Sequence, residues 1–209
     1  WQPAGVTSVD VLRKREVVTG GTGPSSPTNI IPNLLNRYAG TKYKLISGYK
    51  GLGRIKLAME SGEVEAMVGS WISFKTSFAP LVRDNKVKIL VQLAPKRHRE
   101  LPDVPTAAEI TTSDEGRAVA NFLAASADIG RALATPPGVP MARVAALQTA
   151  FAATMKDPVF LAEIKKRNLD LNPATAAELD AIVAATLATP PAIAAKAADI
   201  VRSGKKKKK

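Results

Sequence analysis

Short apolar runs alternate with segments of helical periodicity along the first half of the chain. Residues 17–18, the alternating segment 43–48 and the run 64–71 each predict a strand. A continuous apolar run at residues 87–93 is typical of a strand buried on both faces. Helical segments separate the first three runs, so we expect parallel β–α–β units.

Two segments between these runs predict amphipathic helices that pack against the sheet. Glycines at Gly40 and Gly62 are expected to end them. The inward-facing positions are Ile30, Ile31, Leu34, Leu35 and Tyr38 in the first helix, and Leu52, Ile55, Ala58 and Met59 in the second. Because these positions recur every three or four residues, each set forms one apolar stripe.

The second half of the chain is alanine-rich and mostly helical. Residues 129–140 predict a strand followed by a proline-rich corner. Helix starts are marked by Asp157 before a proline, and by capping-box spacing after Thr106 and Thr175. Too few strands follow residue 117 to complete a second α/β lobe.

A loop rich in glycine and hydroxyl groups, residues 20–28, joins the first predicted strand to the first helix. Its donors are the backbone of Gly20, Gly21 and Gly23 and the hydroxyls of Thr22, Ser25, Ser26 and Thr28. The loop lacks the Gly-Lys-Ser/Thr of a nucleotide P-loop and the G-x-G-x-x-G of a dinucleotide site. Two interpretations remain: a tight turn with a Ser/Thr cap, or an anion site at a helix N-terminus.

Two further turns follow predicted strands. Residues 47–53 contain Tyr49 and Gly51, and residues 69–71 contain Ser70 and Trp71. Carboxyl ends of parallel strands share one edge of a sheet, where ligands bind in open α/β folds. Trp71 fits either a core position or a ligand contact. No general base accompanies these turns, and G-x-S-x-G is absent, which favours binding over catalysis.

Composition excludes several classes of site. The chain has no cysteine, which excludes disulfides and thiol chemistry, and its single histidine, His98, disfavours a histidine-based metal site or a catalytic triad. No apolar run reaches the ~18–20 residues that span a bilayer. The net charge of +12 includes five lysines at Lys205–Lys209, a tail typical of a solvated appendage. Aromatic residues make up 5% of the chain and basic residues are scattered, which argues against nucleic-acid binding.

Four stretches together resemble the substrate-binding proteins of tripartite tricarboxylate transporters, also called Bug receptors. They are residues 20–28, 47–70, 87–109 and 130–173, and they include the strings LPDVPT, YKG and PPGVP. The combination is more specific than any one string. One position departs from the family pattern: many members have an acidic residue where this chain has Gly69.

The resemblance implies an α/β fold of the type II periplasmic-binding-protein class, with one α/β lobe and an incomplete, helix-rich part of the other. Residues 1–14 would approach the second, ligand-binding lobe at 15–116. Residues 117–204 would supply a return strand and the C-terminal helices of the first lobe, before the tail at 205–209. The signal peptide and the first-lobe segment with the other gripping loop are expected to be missing, so we expect weak binding by this chain and self-association through exposed helices.

The resemblance also implies function. It implies a periplasmic receptor, not an enzyme, that binds a small carboxylate and delivers it to the membrane permease subunits of its transporter, without metal, cofactor or nucleic acid. Carried onto this chain, the ligand contacts are Thr22, Gly23, Ser25, Ser26 and Thr28, with Tyr49, Gly51, Ser70 and Trp71 nearby. Two alternatives stay open: an α/β enzyme acting on a small anionic metabolite, and a basic surface or nucleic-acid-binding protein that relies on the lysine tail.

Overall fold

The computed structural model describes residues 1–167 and 169–203 and divides the chain into two compact units. The sheet unit comprises residues 1–128 together with the segment from Thr189 onward, and the helical unit comprises residues 129–188. The predicted lysine tail, Lys205–Lys209, lies outside the described residues.

A three-stranded parallel sheet lies at the centre of the sheet unit. β1 (Val17–Gly21) pairs with β2 (Tyr43–Ser47) on one side and β3 (Ala66–Met67) on the other. The register places Gly21 opposite Ser47, so β1 and β2 end at the same level. The predicted parallel β–α–β units are confirmed, although β3 is only two residues long.

Helices surround the sheet and form the helical unit. Those of the sheet unit, after a 3-10 helix at Gln2–Ala4, are α1 (Val9–Lys14), α2 (Pro27–Tyr38), α3 (Leu52–Glu60), α4 (Trp71–Lys75), α5 (Ala79–Arg83), α6 (Ala107–Ile110), α7 (Asp114–Ile129) and α11 (Pro191–Ser203). Those of the helical unit are α8 (Met141–Thr154), α9 (Pro158–Lys166) and α10 (Ala176–Leu187). The chain therefore leaves the sheet unit after α7 and returns to it with α11.

The predicted stripes of α2 and α3 face two separate apolar clusters. Leu34 and Leu35 of α2 are buried with residues of α6, α7 and α11, including Ile200. Ile55 and Met59 of α3 are buried in a second cluster with residues of α4 and α5. Full burial of such a side chain contributes about 1.5–3 kcal/mol, so both clusters stabilise the sheet unit.

Helix ends follow the predicted local signals. Thr106 and Thr175 each form a complete capping box with a glutamate three residues later, and Asp157 accepts a hydrogen bond from a backbone N–H of the first turn of α9. α2 ends at Tyr38, and Gly40 follows with a φ of 66°. Each signal satisfies backbone groups that the helix itself leaves unpaired.

The prediction of a strand at residues 87–93 is wrong. The segment makes one isolated parallel bridge, between Gln92 and Thr106, and no ladder. Its apolar side chains instead pack against three clusters. Ile89 contacts the second cluster and Val91 the first, while Leu90 contacts a third cluster formed by Val6, Leu12 and Val17. The apolar run reflects burial by side chains, which does not require strand pairing.

The prediction of a return strand after residue 129 is also wrong. α7 continues to Ile129, and residues 130–140 contain no strand. A strand needs a hydrogen-bonding neighbour, and the described part of the helical unit contains none. Leu133 is accordingly 83% exposed. The lobe boundary expected after residue 116 does not coincide with the division between the units, because α7 runs through it.

Large apolar side chains of the helical unit are exposed, as expected of its C-terminal helices. They are Leu133, Met141, Leu147, Val159, Leu161, Leu169, Val183 and Leu187. α8, α9 and α10 contain no buried residue among those described. These helices therefore present apolar surface to solvent in this chain.

Among the described residues no single helix is both long and apolar enough to cross a bilayer. The helices α10 and α11 reach the required length and composition only when taken together across the break between them.

Candidate functional site

The three loops that follow β1, β2 and β3 adjoin one another at the carboxyl edge of the sheet. The backbone N–H groups of Gly48 and Tyr49 donate to the carbonyl oxygen of Gly21, at 2.9 and 3.2 Å. The third loop lies beside the start of α3, because a Cβ built on Gly69 would be 3.4 Å from Leu52 Cδ1. The predicted common edge is thus present.

Three hydroxyl groups of the first loop meet in what we call the hydroxyl triangle, formed by Thr22, Ser26 and Thr28. The Oγ1 of Thr22 lies 2.8 Å from Ser26 Oγ and 3.0 Å from Thr28 Oγ1, and the latter two atoms are 2.9 Å apart. The backbone N–H of Thr22 also donates to Thr28 Oγ1 at 2.9 Å. Three of the four predicted hydroxyls therefore lie within hydrogen-bond distance of one another.

The hydroxyl triangle lies at the N-terminus of α2. Ser26 is the N-cap: its Oγ accepts a hydrogen bond from the backbone N–H of Thr28 at 3.3 Å, and Pro27 takes the first helical position. One capping hydroxyl satisfies one such N–H group, so Thr22 and Thr28 provide donors beyond what the cap requires. The positive end of the helix dipole favours a negative charge at this position.

A buried asparagine behind the triangle is a residue that sequence reasoning missed. Asn29 has no exposed surface. Its Oδ1 accepts from the backbone N–H of Gly23 at 3.3 Å, and its Nδ2 donates to Ser47 Oγ at 2.7 Å. The available signal was its spacing from Asn36: seven residues, or two helical turns, place both asparagines on one face of α2.

The remaining predicted residues of the first two loops differ in their surroundings. Ser25 is exposed and lies outside the hydroxyl triangle. Gly51 precedes α3 as its N-cap with a φ of 96°, a left-handed conformation that favours glycine.

Tyr49 directs its hydroxyl toward a carboxylate. The hydroxyl donates to Glu63 Oε1 at 2.6 Å, and the ring packs against the second apolar cluster. Burial, followed by this hydrogen bond and the negative charge of Glu63, raises the pKa of Tyr49 to about 12. Tyr49 therefore reaches the carboxyl edge through its backbone N–H, while its side chain is engaged elsewhere.

Trp71 and Ser70 also have protein partners. The indole Nε1 of Trp71 donates to Glu100 Oε2 at 2.6 Å, and this hydrogen bond, together with Lys75, lowers the pKa of Glu100. Ser70 Oγ lies 2.8 Å from Ser73 Oγ. Glu100 is thus held as an anion by two donors, and Ser70 is paired with another hydroxyl rather than with a base.

A surface groove of about 400 Å³ lies outside the predicted site. It is lined by Pro95, Lys96, Arg97, Thr106, Ala108, Glu109, Arg117 and Asn121. Arg97 and Glu109 within it form an ion pair at 2.8 Å, with Glu109 also accepting from the Thr106 N–H. Thr106 and Glu109 already form the capping box of α6, and Arg97 is paired with Glu109. The groove contains none of the predicted ligand residues.

Comparison with known proteins agrees with this architecture. The sequence model of the "Tripartite tricarboxylate transporter family receptor", TctC, matches residues 12–198. A crystal structure of a TctC solute-binding protein from Polaromonas, without ligand, superposes with a TM-score of 0.62 and 19% identity, over 90% of this chain and 59% of that chain. At this identity the likeness concerns the fold. A comparison with curated proteins gave no match.

The superposition and the family match together confirm the resemblance inferred from the sequence. The fold is a partial periplasmic-binding-protein fold, and the chain spans 59% of the length of the solved receptor that it matches. The matched range contains both the hydroxyl triangle and all three strands. The chain belongs to the tripartite tricarboxylate transporter receptor family.

Proposed function

We propose that this chain supplies one wall of a periplasmic receptor that holds a small carboxylate and delivers it to the membrane permease of a tripartite tricarboxylate-type transporter. The observation that carries the proposal is the hydroxyl triangle of Thr22, Ser26 and Thr28, placed at the N-terminus of α2 and at the carboxyl edge of a parallel sheet. Family membership supports the receptor role and its location.

The chemistry of the triangle suits a carboxylate. The three hydroxyls bond to one another, and each can rotate to donate outward to an anion. A hydrogen bond to a charged acceptor contributes about 1.5–3 kcal/mol, against about 0.5–1.5 kcal/mol for a neutral pair. Exchanging internal bonds for bonds to an anion therefore favours binding, with the helix dipole acting in the same direction.

Binding by this chain alone is proposed to be weak. In a two-lobed receptor, donors from both sides surround the ligand and exclude water, whereas this chain spans 59% of the length of the solved receptor. With one wall, the ordering cost of binding offsets most of the gain from a few hydrogen bonds. We expect a dissociation constant weaker than about 1 mM, equivalent to roughly −4 kcal/mol.

Holding without turnover is the second part of the proposal. Ser70 is paired with Ser73, and the carboxylate nearest Trp71, Glu100, is bound by the indole N–H and by Lys75. A general base must reach the proton that it removes. With these contacts, Ser70 as a nucleophile has no base bonded to it, and Glu100 as a base is bonded to Trp71 and Lys75 instead of to a nucleophile. The enzyme alternative would require turnover that depends on Ser70. The nucleic-acid alternative depends on the lysine tail, outside the described residues, and predicts salt-dependent DNA retention that is lost on deleting it.

The test is a titration of the isotope-labelled chain with acetate, succinate, citrate, glutamate and benzoate, followed by amide NMR at constant ionic strength. We expect the amide signals of Thr22, Gly23, Ser26 and Gly48 to shift with one or more of these acids and not with succinamide, the neutral analogue of succinate. Thr22→Val should reduce the shifts. Thr149→Val is the matched control, because that hydroxyl bonds to the Ala145 carbonyl within α8.

Three results would count against the proposal. Micromolar affinity would contradict the single-wall argument. Shifts that avoid the first loop would place the ligand elsewhere, and shifts that Thr22→Val leaves unchanged would remove the hydroxyl triangle from the site. Self-association through the exposed apolar residues of the helical unit is proposed separately, and sedimentation at increasing concentration tests it.

A further inference from the structure

We propose that Asn29 is the residue that positions the anion-binding loop, through a buried amide that never touches the ligand. The inference rests on the proposed function, because it assigns a role toward the same site. It goes beyond that function by naming the group that holds the hydroxyl triangle in its shape and by specifying that this group must be uncharged.

The contacts of Asn29 join the loops after β1 and β2. Oδ1 accepts from the Gly23 N–H at 3.3 Å and lies 3.3 Å from Thr28 Oγ1, while Nδ2 donates to Ser47 Oγ at 2.7 Å. Gly23 lies in the first loop, Thr28 belongs to the hydroxyl triangle, and Ser47 is the last residue of β2. The Asn29 side chain therefore connects the first loop to both the start of α2 and the end of β2.

The Asn29 amide packs closely against the backbone at the end of β1. A Cβ built on Gly21 would lie 2.1 Å from Asn29 Oδ1 and 3.0 Å from its Cγ, so the amide rests directly on the end of β1. Asn29 has no exposed surface. A buried polar group that is fully hydrogen-bonded rigidifies its surroundings, whereas removing it leaves partners unsatisfied.

A second asparagine on the same helix provides an internal comparison. Asn36 Nδ2 donates to the Tyr43 carbonyl at 2.8 Å, and its Oδ1 accepts from the Tyr43 N–H at 2.7 Å and from Thr41 Oγ1 at 2.8 Å. Tyr43 is the first residue of β2, so Asn36 fastens α2 to the opposite end of the strand. Both asparagines bond α2 to β2, but only Asn29 lies at the carboxyl edge of the sheet.

Charge distinguishes a positioning role from a purely structural one. In Asn29→Asp the carboxylate can still accept from Gly23, and the Ser47 hydroxyl can rotate to donate to it. These hydrogen bonds help to hold the loop, and once the introduced carboxyl ionises, against the cost of its burial, a negative charge stands directly behind the hydroxyl triangle. Two anions at one site disfavour each other, so the variant should bind a carboxylate poorly at neutral pH and recover when acid neutralises the introduced group.

The experiment measures succinate binding to wild type, Asn29→Ala, Asn29→Asp and Asn36→Ala from the initial slopes of the amide shifts. Asn29→Ala should weaken binding about 5–30-fold, the factor expected for losing one or two hydrogen bonds. Asn29→Asp should weaken it at least about tenfold at pH 7, and its ratio to wild type should approach one as the pH falls. Taking the ratio cancels the protonation of succinate itself. Asn36→Ala should bind as wild type does, although it loses comparable stability.

A second readout does not require a ligand. Backbone order parameters of residues 22–26 should fall from about 0.85 toward about 0.6 in Asn29→Ala and stay high in Asn29→Asp and Asn36→Ala. If Asn29→Ala does not fold, Ser47→Ala, which removes the Nδ2 partner, replaces it.

The outcomes separate this inference from the proposed function. Absence of loop shifts in the wild type would refute the proposed carboxylate site, and the order parameters would still decide whether Asn29 holds the loop. Unchanged loop order in Asn29→Ala, wild-type binding by Asn29→Asp at neutral pH, or an equal loss of binding in Asn36→Ala would each overturn the inference.

Discussion

Replacing Gly21 by alanine tests whether the end of β1 and the asparagine behind the site fit together as the structure shows. A Cβ at this position would lie 2.1 Å from Asn29 Oδ1 and 2.9 Å from Leu45 Cδ1. The Asn29 amide cannot move freely because it is buried, whereas the half-buried Leu45 side chain can shift its terminal methyl group. The backbone of Gly21 has no positive φ, so the effect comes from contact rather than from backbone strain.

The magnitude follows from the contacts that must break. Displacing the Asn29 amide removes its bonds to Gly23 and Ser47, about 1 kcal/mol each. Forcing an additional methyl group into a packed site costs about 1–3 kcal/mol. We therefore expect Gly21→Ala to lower the free energy of unfolding of the sheet unit by about 3–5 kcal/mol.

Urea unfolding followed by tryptophan fluorescence measures this change in the relevant unit. The chain's two tryptophans, Trp1 and Trp71, both pack against the second apolar cluster of the sheet unit. Gly53→Ala is the matched control: it lies in α3 with no atom within 4 Å of the added Cβ, and should stabilise by about 0.5–1 kcal/mol. A Gly21→Ala variant that unfolds within about 0.5 kcal/mol of wild type would refute the packing argument.

Three further predictions concern the core and two titrating groups. Ile55→Ala should lower the free energy of unfolding by about 2–5 kcal/mol, because the Ile55 side chain is fully buried. Leu57 lies on the same helix but is 54% exposed, so Leu57→Ala should change that free energy by less than about 0.5 kcal/mol. Equal effects of the two substitutions in urea unfolding would contradict the assigned buried face of α3. The pKa of Tyr49 is raised from 10.0 to about 12, so the folded chain favours the neutral phenol and the free energy of unfolding should fall as the pH rises from 10 to 12. Tyr49→Phe should remove this pH dependence of stability. If the variant keeps the pH dependence, Tyr49 is not the group that causes it. Hydrogen bonds, first from Arg97, lower the pKa of Glu109 from 4.5 to about 2, so its contribution is present above pH 4.5 and lost as the pH falls toward 2. A carboxyl NMR titration should show this midpoint and its rise in Arg97→Gln; a midpoint that Arg97→Gln leaves in place would assign the shift to other groups.

Local signals predicted α2, α3 and the starts of α6, α9 and α10, because the interactions concerned lie within a few residues. The helices α1, α4, α5 and α7 were not predicted. The stripe of α2 and the capping boxes at Thr106 and Thr175 need no information from the rest of the chain. Strands depend on a partner. The run at residues 87–93 has the composition of a buried strand but buries its side chains in three clusters without a ladder, and the segment after Ile129 has no neighbour with which to pair.

The candidate site shows the same division between local and distant interactions. The sequence predicted the hydroxyls of Thr22, Ser25, Ser26 and Thr28 as donors. The structure draws three of them together because they lie in one short loop that leads into α2, whereas Ser25 is exposed. It did not predict the partners of Tyr49 and Trp71, since the carboxylates that they contact are brought near by the fold. Their role toward a ligand, and that of the triangle, stays a prediction.

The discontinuous path of the sheet unit has a consequence for synthesis on the ribosome. α11, which closes the first cluster over α2 with Ala197 and Ile200, comes from the far end of the chain, after the whole helical unit has been made. Lys196 of the same helix pairs with Glu115, which also accepts from the Tyr38 hydroxyl. The sheet is therefore translated early, but α11, which completes the cluster beside α2, emerges only after the helical unit. During that interval α6 and α7 can already pack on α2, but the part of its apolar face that meets Ala197 and Ile200 stays open, and a chaperone that holds partly folded chains would find a binding surface there.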